Sequence, residues 1–234
     1  VKFNIDLHSH SRFSADGVAE PENMVARAKA IGLHGFAITD HNTCACVDYF
    51  LQHGFMREDG LPVDGLLIIP GQEITTSAGH LLALGVRLPD LKGIPPAEAV
   101  ELIHASGGLA IPPHPYDMFR AGIREHILDS LPIDALEVFN AATTLKRYNR
   151  QAFEYAQRKQ LPMTAGSDAH HEEALGVAYT IIEAEELNVA GILNGIKRAP
   201  DLKQSYLSPK DAFRKTWNNV FRLKRTPRIK KVKG

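Results

Sequence analysis

The chain is poor in several things that would otherwise decide its class. It has only two cysteines in 234 residues, Cys44 and Cys46, one residue apart and so unsuited to a mutual disulfide. They read as small apolar fillers at a helix start. No apolar run approaches the ~20 residues needed to span a bilayer, so no membrane partner is expected. The N-terminal Val-Lys-Phe-Asn-Ile-Asp contains no signal-peptide h-region, and a cytoplasmic location is the expectation. Glycine-rich phosphate-loop fingerprints are lacking too, as are internal repeats and low-complexity linkers.

What is present is a globular composition, 44% hydrophobic and 23% charged, that excludes wholesale disorder. The net charge of zero conceals an asymmetry. From Arg214 onward there are nine Lys/Arg and no Asp/Glu, which leaves residues 1–213 with 18 basic and 27 acidic side chains, a balance of −9. An acidic body with a basic tail is not a general nucleic-acid-binding face; nucleic acid is possible as a partner but not favoured. In the tail, Phe213, Trp217, Val220 and Phe221 recur at helical spacing, as in a docking helix. The expected division is therefore a catalytic body, 1–212, and an amphipathic helix with a basic tail, 213–234.

Short apolar segments alternate with helical ones. Strands are expected at Lys2–Leu7, Gly35–Thr39, Leu66–Ile69, Leu81–Val86, Leu109–Ile111, Ala135–Phe139, Met163–Ala165 and Tyr179–Ile182. Helices are expected from Pro21 to Gly32, over Pro96–Ala105, around Gly122–Ser130, over Thr144–Lys159 and near Leu187–Lys197. The pattern is α/β, and a closed or nearly closed barrel is preferred to an open doubly wound sheet.

Eleven histidines are the informative excess. His8 and His10 follow the first strand, with Asp16 beyond them, and Asp40-His41 follows the second. Glu73 follows the third, His80 enters the next, His114 follows Leu109–Ile111, and Asp168 and His170 follow Met163–Ala165. In a β/α barrel such strand ends gather at one mouth, where active sites form. Residues at i and i+2 of an extended segment point the same way, so His8 and His10 can reach one ion. Imidazole and carboxylate suit Zn, Mn or Fe, and nine candidates at three per metal would serve three ions with positions left open for water. One buried histidine has an ordinary explanation; a cluster of this size without a cation would leave costly unsatisfied groups.

His8-x-His10 with Asp16-Gly17, Thr39-Asp40-His41, Glu73, His114-Pro115 and Ser167-Asp168-Ala169-His170 together resemble the motifs of the polymerase and histidinol phosphatase (PHP) family. The resemblance runs in order from Asp6 to about Gly176, about three quarters of the chain. It implies a distorted (β/α)7 barrel, related to the TIM barrel, with two or three divalent metal ions. His8, His10, Glu73 and Asp168 would hold the first, and Glu73 would bridge to a second held by His80 and His114. Asp16, His41 and His170 would hold the third. The first motif has Ala15 where some members of the family have Ser-Asp-Gly.

The implied activity is that of a metal-dependent phosphoesterase. It would cleave a small phosphomonoester or nucleotide by attack of a metal-bridging hydroxide, with Glu73 and Asp168 central. Asp40 would orient an imidazole or act as general acid. Asn140 would contact substrate or support a metal, or else cap the following helix. Arg12, Arg120, Lys146 and Arg147 are basic groups within reach of a phosphate, though such residues are more often solvated surface charges. The alternatives are a nuclease acting on short oligonucleotides and a non-catalytic, metal-stabilised PHP domain. Barrel amidohydrolases also use a His-x-His pair and a late Asp, but no Lys is placed for the carboxylated lysine they often add. Composition leaves the oligomeric state open.

Overall fold

In the computed structural model the description covers residues 1–198 and 200–207. The boundary expected at 212/213 and the stripe of Phe213, Trp217, Val220 and Phe221 lie outside the described residues.

The N-terminal strand β1 (Lys2–Asp6) turns Phe3 and Ile5 into the core. Pro21, pre-set for a helical φ and needing no amide donor, opens α1 (Pro21–Ala30), which buries Met24, Val25 and Ala28. Then come β2 (Gly35–Ala37), α2 (Ala45–Gln52) and β3 (Leu67–Ile69). The next two strands, β4 (Gly71–Thr76) and β5 (Gly79–Leu84), make a hairpin. They lead to α3 (Pro96–Ala105) and β6 (Leu109–Ile111). The rest is α4 (Glu125–Leu128), β7 (Leu136–Asn140), α5 (Lys146–Lys159), β8 (Met163–Gly166), β9 (Tyr179–Glu183), α6 (Val189–Ile196) and β10 (Asp201–Lys203).

Among the described residues the strands pair as three sheets, β10-β9-β1-β2-β3, β4-β5-β6 and β7-β8, with no continuous closed ladder. β1, β2 and β3 run parallel, as do β7 and β8, whereas β4-β5-β6 is antiparallel. Ile5, Leu67, Leu82, Leu109 and Ile182, contributed by five strands of two sheets, share one buried cluster. A second cluster joins Met24 and Phe50 of the helices to Phe36 and Ile38. None of the described helices is long and apolar enough to cross a membrane.

The expected strands and most of the helices recur with ends shifted by a few residues. Three elements differ. Gly71-Gln72-Glu73 is the start of β4, where β-branched Ile74, Thr75 and Thr76 favour extended backbone, and not a loop past β3. The helix expected around Gly122–Ser130 contracts to one turn, because the Gly122 amide is held by the Asp117 carbonyl at 3.0 Å. β10, pairing with β9, was not expected. Cys44 and Cys46 do sit at the start of α2, and both are free thiols.

Candidate metal centre

The nine expected ligands are brought together at one end of the parallel strands. β1 runs on past its last pair, so that His8 and His10 lie on one side while the Ser9 hydroxyl turns away to the Ala37 carbonyl at 2.7 Å. A parallel bridge between Ser9 and Ala169 sets the β8 end beside them, with the Asp168 amide donating to the His8 carbonyl. The His41–Glu73 bridge does the same for the β2 and β4 ends. This close approach demands glycine at 166: a Cβ there would lie 2.6 Å from the His8 Cβ and 2.7 Å from Glu137 Oε1.

Glu73 is the hub. Its Oε2 faces His8 Nε2 and His10 Nε2, both at 3.2 Å, and His41 Nδ1 at 3.5 Å. Its Oε1 faces His80 Nδ1 at 2.7 Å and His114 Nε2 at 3.1 Å. The alternation that aims Glu73 inward sends Gln72 outward, where its amide donates to the Leu88 and Pro89 carbonyls. Asp16 Oδ2 lies 2.8 Å from His170 Nε2 and 3.6 Å from His41 Nε2. Asp168 Oδ1 lies 3.3 Å from His170 Nδ1 and 3.5 Å from His10 Nε2. Backbone strain collects here: His114 (φ +34°) and Asp168 (φ +52°) are both left-handed without being glycine.

This donor set fits divalent cations. His8 Nδ1 is occupied by the Glu137 carboxylate at 3.0 Å, which leaves Nε2 as the lone-pair nitrogen. That nitrogen nonetheless points at His10 Nε2, 3.1 Å away, and at the Glu73 carboxylate. Acceptors converge on one another, as they do around a cation. His80 Nδ1 is 2.7 Å from Glu73 Oε1 yet has no hydrogen-bonding alignment, and His41 Nδ1 is buried without a hydrogen bond. Four groupings have ligand atoms close enough for an ion: His8/His10/Glu73, His41/Glu73/His80, His8/His114/Asp168 and His10/Asp16/His41/His170.

The protonation pattern says the same. Burial works against charging His10, but Asp168 and Glu73 raise it to about 9. His8 is raised well above the imidazole range against the same penalty, chiefly by Asp168 and Glu137. Burial also opposes ionisation of Glu73, and the neighbouring His41, His80 and His8 outweigh it, holding the carboxylate well below its usual range. His114 differs: burial pulls it down more than Glu73 raises it. The carboxylates require positive charge among them, and protons supply it where metal does not.

One expectation is corrected and one is narrowed. Asp40 accepts from the Ser11 amide and the Ser11 hydroxyl, both at 2.6 Å, so its carboxylate pins the turn after β1 and orients no imidazole by hydrogen bond. Asn140 is fully buried and caps no helix. Its amide donates to Glu137 Oε2 at 2.9 Å and Asp168 Oδ2 at 3.1 Å, beneath the ligands, the position of the metal-supporting alternative. Glu137, which holds His8, the His114 amide and Asn140, was missed. A Glu three residues before Asn140 on an apolar strand was the only available signal.

The centre opens into a cavity of about 390 Å³ bordered by Asp16, His41, His80, His114, Phe119 and Arg120. Arg120 is the one basic candidate drawn into it, with Nη2 2.5 Å from Asp168 Oδ2 and Nη1 on the Ala142 carbonyl. Arg12 instead pairs with Glu20 at the surface.

The chain is similar to several known proteins. A family model described as PHP-associated matches residues 146–199. An uncharacterized protein of Methanocaldococcus jannaschii is 36% identical over 146 residues, covering 58% of this chain and 81% of that one. A probable phosphatase of Shewanella sediminis is 28% identical over 243 residues, 89% of this chain and 95% of its own. Among solved structures, Endonuclease Q complexed with a 27-mer duplex bearing an abasic lesion has a TM-score of 0.67 at 18% identity. That match covers 87% of this chain, which spans 58% of the Endonuclease Q chain. With the motifs in order and their side chains gathered at one site, the chain belongs to the polymerase and histidinol phosphatase family of metal-dependent phosphoesterases.

Proposed function

We propose that this protein hydrolyses the phosphoester bond of a small phosphomonoester or nucleotide at a centre of two or three divalent cations. The carrying observation is the division of Glu73: one carboxylate oxygen faces His8, His10 and His41, and the other faces His80 and His114. Such a carboxylate can tie two ions together. Zn, Mn or Fe bound there would supply Lewis acidity toward phosphoryl oxygens and toward water.

The chain's own residues do the rest. His8, His10, Glu73 and Asp168 hold the first ion, Glu73 with His80 and His114 the second, and Asp16, His41 and His170 the third. His10 also lies close enough to the last three to share in that site. Glu137 fixes the ring of His8, and the His170 Nδ1 contact with the Asp168 carbonyl at 2.9 Å leaves Nε2 for Asp16 and the ion. Arg120 borders the cavity and takes part of the phosphoryl charge. We read the three sheets as arcs of one distorted (β/α)7 barrel within residues 1–212. Bonds that join their ends support this, among them Glu137 N–H to the Pro112 carbonyl and Glu73 N–H to the Thr39 carbonyl. Two free thiols suit a cytoplasmic setting.

A nuclease acting on short oligonucleotides is the second reading, favoured by the nine basic residues after 213 and by the likeness to Endonuclease Q. The deciding experiment is a metal-reconstituted screen with an aryl phosphate, an aryl phosphodiester, nucleotides and a single-stranded oligonucleotide, following phosphate release and strand shortening together. Metal-dependent phosphate release is expected. Undiminished hydrolysis in EDTA, or none with any metal, would overturn the reading.

A further inference from the structure

One wall of the cavity is made by the segment between β6 and α4, and it is unlike the rest of the surface. Met118 and Phe119 are 66% and 75% exposed, adjacent, and far more open than most large apolar side chains among the described residues. Phe119 borders the same cavity as the Glu73 cluster and is the immediate neighbour of Arg120. Ala121 and Ala142 are also on its border, so this side of the mouth is apolar apart from Arg120 and Thr144.

The backbone that presents this ring is built with care. Tyr116 (φ +71°) and Ala121 (φ +52°) are left-handed without being glycine. A Cβ on Gly122 would stand 2.5 Å from the His114 carbonyl oxygen, so the loop closes tightly on the strand end that carries His114. Inside it, the fully buried Asp117 accepts from the Phe119 amide at 3.1 Å, the Thr144 amide at 2.8 Å and the Thr143 hydroxyl at 3.2 Å. The loop is thus tied to the segment after β7, and on its other side the His80 amide donates to the Ala121 carbonyl at 2.8 Å. Strain maintained by so many bonds points to a preorganised contact.

We propose that Phe119 determines the leaving group: its ring receives a planar aromatic or heteroaromatic group attached to the phosphate, and so selects aryl or nucleoside phosphoesters over aliphatic ones. This rests on the phosphoester reading above. With the phosphoryl group at the ligand cluster beside Arg120, the rest of the substrate extends along the wall that begins at Phe119. A polyol leaving group would find few hydrogen-bond partners there. A flat ring would find a face to stack on.

The test uses Phe119→Ala and Phe119→Trp in the metal-loaded full chain. The readout is kcat/KM for phenyl phosphate divided by kcat/KM for glycerol 3-phosphate, compared between variants so that intrinsic reactivity cancels. We expect Phe119→Ala to lower this ratio about tenfold, in line with stacked rings elsewhere, chiefly through KM, and Phe119→Trp to keep it. Equilibrium dialysis of benzylphosphonate against ethylphosphonate, whose C–P bonds resist hydrolysis, reads the same preference without turnover. A ratio within twofold of the parent in Phe119→Ala, or equal loss in both variants, would overturn the proposal. If no phosphoester is hydrolysed by the parent, the broader reading falls, and dialysis still decides for or against Phe119.

Discussion

The Glu137 carboxylate sits behind the His8 ring, with Oε1 3.0 Å from Nδ1, and the same side chain accepts from the His114 amide through Oε2 at 2.9 Å. One buried acid therefore fixes two strand ends that carry ligands. Replacing it with Gln keeps the volume but removes the charge that sets the His8 tautomer. Loss of such partners ordinarily costs about 10–100-fold in metal affinity or activity. We expect that range for Glu137→Gln, with the far-ultraviolet circular dichroism retained, checked by elemental analysis beside phosphate release. Parent-like metal content would show that His8 needs no such support.

Glu73→Gln tests the hub itself. The carboxylate meets five imidazoles, and an amide could serve one ion but could not neutralise two. We expect loss of most activity and of at least one metal per chain while the fold persists, since the residue lies at the mouth and not in the apolar clusters. Near-normal turnover in this variant would remove the bridging role.

Much of this site was legible because ligand chemistry leaves a mark in one dimension. His8-x-His10 and Asp168-x-His170 each follow an apolar strand, and the fold had only to bring strand ends together. Glu73 was legible as a residue but not as part of a strand, since its hairpin partner Leu82 lies across a turn that hydrophobic periodicity does not reveal. Asp40 was misassigned, and Asn140 was left among three roles, because a buried polar residue's role depends on which atom faces it. Ser11 and Glu137 face them in space, and no spacing rule places Ser11 against Asp40. Phe119 was invisible for the opposite reason: a lone aromatic in a loop carries no pattern.

Chelation should cost stability as well as activity. Without cations the cluster keeps its charge balance through protonated His8 and His10, and burial opposes the charge on both. A cation that binds only the folded state stabilises by about 2.7 kcal/mol at a hundredfold excess over its dissociation constant. We expect EDTA to lower the melting temperature by several degrees and restored Zn or Mn to recover it. An unchanged melting curve across that cycle would argue that the cluster holds no ion in solution.

The thiols give an independent check on the fold. Burial pushes the pKa of Cys46 well above its ordinary value and, less strongly, that of Cys44. A raised pKa means less thiolate at pH 8, and thiolate is the reactive form. A disulfide reagent should therefore titrate the native protein slowly and release two equivalents only after denaturation. Two fast equivalents from folded protein would contradict the packing of α2.

The last expectation separates a monoesterase from a nuclease. Nine basic residues from Arg214 onward could neutralise several backbone phosphates, and such contacts release counterions, so binding through them would fall steeply with salt. A small monoester held at the ligand cluster makes no such contacts, and its turnover should respond much less. The balance of −9 in residues 1–213 works against a polyanion approaching without those charges, although bound cations would offset part of it near the mouth. The described chain also reaches Leu207 beside that mouth, where the Leu207 amide donates to the Ala141 carbonyl at 3.2 Å, next to cavity-lining Ala142. Removing residues 222–234 takes away seven of the nine charges. We expect monoester turnover to stay within a few-fold of the full chain, and both forms to process long nucleic acid poorly. The measurement is turnover on a mononucleotide and on a single-stranded oligonucleotide, for both chains, at low and moderate salt. Efficient, salt-sensitive oligonucleotide cleavage that vanishes with those thirteen residues would put the nuclease first.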